Sequence, residues 1–185
     1  PPPPPPPRLE CRRQRQMCIR DRGYLLIGFV CAGGASAADR LWFEGQALEL
    51  KAQARACYLG FVELYDVDYF RAPTRDANCI RLSYLREFDA ETLGEATLEV
   101  FKDRHGEDLV SRYRAELEQV AAAYRSVEPG DRYLYCLEAD GTGILQRDQA
   151  PTLRLASADF ARRFLQIWVQ GEDRAGDPRW GFPSC

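Results

Sequence analysis

The 185-residue chain has a single histidine, His105, and lacks C-x-x-C, G-x-S-x-G, a Walker loop and H-E-x-x-H. These absences exclude a histidine-rich metal site, a thioredoxin-type redox centre and the common hydrolase and nucleotide-binding motifs. A catalytic triad also becomes improbable. No apolar run reaches the roughly 18 residues that a membrane-spanning helix needs. Clustered basic residues are missing as well, outside a short leader. Residues 1–22 carry seven prolines and six arginines (Arg8, Arg12, Arg13, Arg15, Arg20, Arg22) against Glu10 and Asp21, a net of +4. Because the whole chain sums to −3, the rest carries −7, which argues against nucleic acid as a partner.

Residues 1–22 are read as a low-complexity leader, artefactual or disordered. Seven prolines fix φ and remove donors, so Pro1–Pro7 is expected to be extended and solvated. Arg8–Arg22 resembles translated adapter read-through; a basic ligand-binding arm is the alternative. Residues 23–37 read as a secretory signal peptide: an apolar Tyr24–Cys31 follows arginines and precedes Ala35-Ser36-Ala37. The alternative there is a buried first helix or strand. A mature chain beginning near Ala38 would be periplasmic or secreted, with no stable membrane anchor after cleavage. It would span about 148 residues, enough to bury a real core. Its four cysteines, Cys57, Cys79, Cys136 and Cys185, become disulfide candidates on export, with three pairings open. At least one bond is expected to involve Cys185.

Along the mature chain, Leu41–Glu44 and Leu48–Ala56 read as strands around Gly45-Gln46, and Tyr58–Phe70 and Cys79–Phe88 as further strands. Asp89 caps a helix whose Leu93, Ala96, Thr97, Val100 and Phe101 share a face and which closes at His105-Gly106. A second helix carries Leu109, Tyr113, Leu117, Val120, Ala121 and Tyr124. Tyr133–Glu138, Ile144–Arg147 and Thr152–Leu155 form a small meander. Ser157 then caps a last helix through Trp168, stopped by Gly171. The order implies an α+β domain over 38–171, an antiparallel sheet covered by helices, with a polar C-terminal tail over 172–185 docked by Trp180 and Phe182.

Chemistry is sparse. Glu91, Glu95, Glu99 and Asp103 recur at i+4 as a solvated stripe, and Tyr133 and Tyr135 read as sheet packing rather than a sugar platform. Arg55 stands out, because a strand arginine among apolar neighbours needs an anion for its donors. That anion is either a carboxylate from another strand or a ligand.

Arg55, Tyr65 within Val62–Val67, the run Tyr84–Leu93, and Ala158-Asp159-Phe160-Ala161-Arg162-Arg163-Phe164-Leu165-Gln166-Ile167-Trp168 together resemble the bacterial chalcone isomerase-like family, over about Leu41–Gly171. The resemblance implies an open-faced β-sandwich with helices on one side. It makes Arg55 the counterpart of the isomerases' cleft arginine, which stabilises developing enone-oxygen charge, and puts Tyr65 where they carry threonine. Their helix tyrosine, lysine and asparagine fall near Leu93, Ala96 and Val100, which are apolar here. The implied site is therefore Arg55, Tyr65, Leu93, Ala96 and Val100, a cleft for a fatty acid or similar hydrophobic anion, without metal or cofactor. Two alternatives stand beside this noncatalytic binder: an intramolecular lyase or isomerase using Arg55 and Tyr65 as catalytic residues, and a structural or partner-binding exported domain. Oligomeric state is left open.

Overall fold

A computed structural model describes residues 40–74, 77–148, 150–174 and 177–185. The leader and the signal-like segment, 1–37, lie outside the described residues. Seven strands form one antiparallel sheet in sequence order: β1 (Arg40–Phe43), β2 (Gln46–Tyr58), β3 (Val62–Arg71), β4 (Asn78–Tyr84), β5 (Arg132–Leu137), β6 (Gly143–Arg147) and β7 (Ala150–Leu155). Each strand pairs only with its neighbours in the chain, so the sheet is a long meander interrupted by helices between β4 and β5. It matches the α+β, helix-covered sheet expected from the sequence.

The interruption supplies α1 (Ala90–His105), α2 (Glu107–Arg112) and α3 (Arg114–Ala123), and α4 (Ala158–Leu165) follows β7. Asp89 caps α1 by accepting from the Thr92 amide at 2.7 Å, satisfying one of the orphan donors of the first turn. Gly106 at φ 83° ends it, a conformation that costs glycine nothing. The second helix is not continuous as expected: it breaks at Tyr113, whose buried ring lies against Phe101 and Phe160 and whose hydroxyl donates to Asp159. The last helix also stops sooner than expected, at Leu165, leaving Trp168 in the turn beyond it.

Strand parity divides the sheet into two unlike faces. Tyr65, Val67 and Tyr69 of β3, with Ile80, Leu82 and Tyr84 of β4, face the helices and form the main core with Phe101, Val120, Phe160 and Phe164. Tyr135 on β5 donates to the Ala161 carbonyl at 2.8 Å, passing over Gly143. The opposite face carries a smaller core of Phe43, Leu48, Phe70, Cys79, Cys136 and Ile144 at one end and charged side chains elsewhere.

Cys79 and Cys136 are register partners on β4 and β5 and form one disulfide; Cys57 and Cys185 form the other. The tail is more structured than a polar docking segment. It makes a two-stranded ladder from β8 (Val169–Glu172) and β9 (Pro178–Trp180). It then runs beside β2: the Cys57 amide donates to the Pro183 carbonyl at 3.1 Å, and the Cys185 amide to the Arg55 carbonyl at 3.3 Å. The tail thus pairs part of the β2 edge that β1 does not reach.

Candidate functional site

Arg55 lies on β2 opposite Asp66 of β3. Its Nε donates to Asp66 Oδ1 at 2.6 Å, its Nη2 to Oδ2 at 3.2 Å, and its Nη1 to Glu63 Oε1 at 2.8 Å. This is the fork geometry that matches guanidinium to carboxylate. The hydrogen bond to Asp66, then that to Glu63, raises the Arg55 pKa further above its already high ordinary value. Its anion is a protein carboxylate.

Tyr65 pairs with Ala56, one residue along, and so points to the other face of the sheet. Its ring packs 5.7 Å from Tyr84 and 6.3 Å from Phe182 of the tail. Burial raises its pKa, and Trp168, donating to the hydroxyl, partly offsets that. Arg55 and Tyr65 therefore do not converge on one cleft: adjacent strands bring them close in register and alternation sends them apart. Leu93 and Val100 are partly buried against the main core, whereas Ala96 is exposed. The structure gathers none of these three around Arg55.

The helices do enclose a groove of about 700 Å³, between α1 and α3 with α2 at one end. Its apolar wall comes from Ala90 and Leu98 of α1, Val110 of α2, and Leu117 and Ala121 of α3. The helices meet closely at one point: a Cβ on Gly94 would lie 3.1 Å from the Ala121 Cβ. At the floor, the Thr97 and Tyr124 hydroxyls are 3.1 Å apart, and burial drives the Tyr124 pKa well up. Two cations, Arg114 and Arg125, and three carboxylates, Glu91, Glu95 and Glu118, border the groove. Arg125 donates to the Ala122 and Tyr124 carbonyls, and neither it nor Arg114 has a carboxylate partner among the described residues. Such a volume falls within the range of small-molecule sites, which are mostly apolar with a few polar groups. No group of three or more His, Cys, Asp or Glu side chains is placed to hold a metal among the described residues.

A family model described as chalcone isomerase-like matches residues 33–176, well over half the chain. The chain belongs to the chalcone isomerase-like family. Among solved structures, the fatty-acid binding protein of Arabidopsis thaliana is similar at a TM-score of 0.55 and 10% identity, covering 74% of this chain and 93% of that one. At that identity the likeness establishes the fold. A search of curated proteins finds no match.

Within this chalcone isomerase-like chain, the groove was the feature that sequence reasoning passed over. Its α1 members, Ala90, Gly94, Thr97 and Leu98, are spaced as one helical stripe. That spacing is a signal, but it marks only a second face of α1. Only the placement of α3 shows that the stripe borders an opening. A second cavity, of about 770 Å³, lies on the opposite sheet face among Arg40, Trp42, Arg81, Arg132 and Leu134, and is predominantly polar.

Proposed function

We propose that this chalcone isomerase-like protein is an exported, noncatalytic binder of a fatty acid or similar hydrophobic anion. The observation that carries the proposal is the groove between α1 and α3, where an apolar wall meets the guanidinium groups of Arg114 and Arg125, neither paired with a carboxylate among the described residues, with Glu91, Glu95 and Glu118 also on its border. Burial of an acyl chain against Leu98, Val110 and Leu117 would supply most of the affinity, and a guanidinium the head-group specificity. The anchoring arginine is assigned here rather than at Arg55, whose donors already meet Asp66 and Glu63. The fatty-acid binding protein that shares the fold supports the ligand class. Export is supported by the signal-like segment 23–37 and by two disulfides, which persist in oxidising compartments. No helix of the described residues is long and apolar enough to cross a membrane.

An intramolecular lyase would need a cation and a hydroxyl converging on one enone. Arg55 and Tyr65, on opposite faces, do not provide that pair.

Displacement of a fluorescent fatty acid tests the proposal. Arg114→Ala should weaken binding about tenfold, as loss of one charge-assisted contact does. Leu98→Asp, a change at a half-exposed position, should weaken it more. Failure of the wild-type chain to take up any acyl chain would overturn the reading, as would equal binding by all three proteins.

A further inference from the structure

The turn joining β2 to β3 departs from the pattern of the other loops. Tyr58, Leu59 and Phe61 are 61%, 68% and 74% exposed, three of the large apolar side chains left most open to solvent. Leu59 at φ 52° and Gly60 at φ 76° make the two central residues of a turn closed by the Phe61 amide on the Tyr58 carbonyl at 3.3 Å. That is the primed hairpin turn, for which asparagine and glycine are the favoured pair. A leucine pays backbone strain there, so local backbone preference does not account for it. Its side chain is presented outward at the tip.

The surroundings fit one kind of partner. Ala56–Val62 contains no charged residue. At the base of the hairpin, Arg55 is paired with Glu63 and Asp66, and Arg86 donates to the Glu63 carbonyl at 2.9 Å. Two cations thus balance two carboxylates next to the tip, although the body of the protein is acidic. The base is also held rigidly, by Cys57–Cys185 and by the tail hydrogen bonds on Arg55 and Cys57. These restraints fix the backbone at the base of the hairpin that carries the three apolar side chains. Together they expose about 400 Å², judged from the areas such side chains carry. That is half of the ~800 Å² each partner contributes to a stable protein interface, so neither a second copy nor another protein is well served. A bilayer surface needs no complementary groove, and leucine with two aromatics is the composition that settles at its interface.

We infer that the Tyr58–Phe61 hairpin tip docks reversibly on a lipid bilayer, inserting Leu59 and Phe61 into the acyl boundary with Tyr58 at the head-group level. None of these residues lines the α1–α3 groove, so docking and ligand binding stand or fall separately. The test is flotation of the disulfide-bonded chain with phosphatidylcholine vesicles, and with vesicles of three parts phosphatidylcholine to one part phosphatidylglycerol. The wild-type chain should float with both, with little response to salt. Leu59→Asn with Phe61→Ser should reduce partitioning about a hundredfold, as removal of two buried apolar side chains implies. Asparagine suits the left-handed position, so the thermal unfolding of this variant should confirm that the fold is kept. The inference is overturned if the wild type floats with neither vesicle, if the double variant floats equally, or if binding needs the anionic lipid and vanishes with salt. A concentration-dependent dimer that the double variant abolishes would overturn it too, by naming a second copy as the occupant.

Discussion

Arg55 and Asp66 face each other across β2 and β3, and the guanidinium donates to both carboxylate oxygens. The pair lies on the sheet face away from the helices, with Glu63 taking a third donor. An incoming carboxylate at Arg55 would have to displace two protein carboxylates that are already in place.

Arg55→Ala is therefore expected to leave fatty-acid affinity unchanged within about twofold, while Arg114→Ala lowers it, a contrast read in one displacement titration. The Arg55 pair is substantially exposed, so its loss should shift Tm only slightly. A large affinity loss in Arg55→Ala would place the anionic site on the charged face instead.

The alternation of β3 and β4, the Asp89 cap and the amphipathic stripe of α1 were legible in the sequence because each is a local pattern. The face on which Arg55 lies was not. Irregular register between Leu50 and Ala52, and again between Ala56 and Cys57, resets the pairing of β2 with β3, and a slip of one residue exchanges the faces. The break at Tyr113 was hidden for a different reason. Its cause is tertiary, a ring held by Phe101 and Phe160 and a hydroxyl held by Asp159, which helical periodicity alone does not carry. The expectation for Cys185 did hold, because a cysteine in a polar tail has little to gain from burial, and its partner is Cys57.

Removing that bond by Cys57→Ser with Cys185→Ser should destabilise the fold. The residues are 128 apart, and a closed loop of that order contributes about 4–5 kcal/mol at most in the chain-entropy account. The effective loop is shorter, because Cys79–Cys136 lies within it. Denaturant titration of the double variant should give a loss below that ceiling. Limited proteolysis should cut first in the tail, since Phe182 and Pro183 lose their fastening beside Tyr65 and Cys57.

Gly143 is required by a close approach. A Cβ there would lie 2.3 Å from the Tyr135 hydroxyl oxygen and 3.0 Å from the Ala161 Cβ. Gly143→Ala should cost about 1–3 kcal/mol by overpacking, measured by thermal unfolding. Tyr135→Phe in the same chain removes the clashing oxygen, along with its hydrogen bond to Ala161. The double variant should therefore be more stable than the two single losses summed; simple additivity would show that the crowding is relieved elsewhere.

His105 makes the stability of the fold depend on mildly acidic pH. Its Nε2 meets the Arg163 carbonyl at 3.0 Å, so the neutral ring carries its proton there, and the ring packs 4.6 Å from Phe101. Burial is the largest cause holding its pKa below the ordinary 6.5, with the neighbouring charges of Arg163 and Arg104 acting in the same direction; the carbonyl contact and Asp159 oppose it. The folded state consequently binds the proton less readily than the unfolded chain. Between the lowered folded value and 6.5 the unfolded state holds more protons, so stability falls as the pH drops through that window and is fully present above it. His105→Asn, which keeps a side-chain donor but does not titrate, should flatten urea midpoints measured from pH 7.5 to just above the carboxylate range. A variant whose midpoints fall with pH as steeply as those of the wild type would show that His105 does not carry the dependence, and Asp89 and Asp159 would not account for it in this window. Those carboxyls are held below their ordinary value by hydrogen bonds, chiefly from Thr92 and Tyr113 respectively, and lose their contribution only at lower pH.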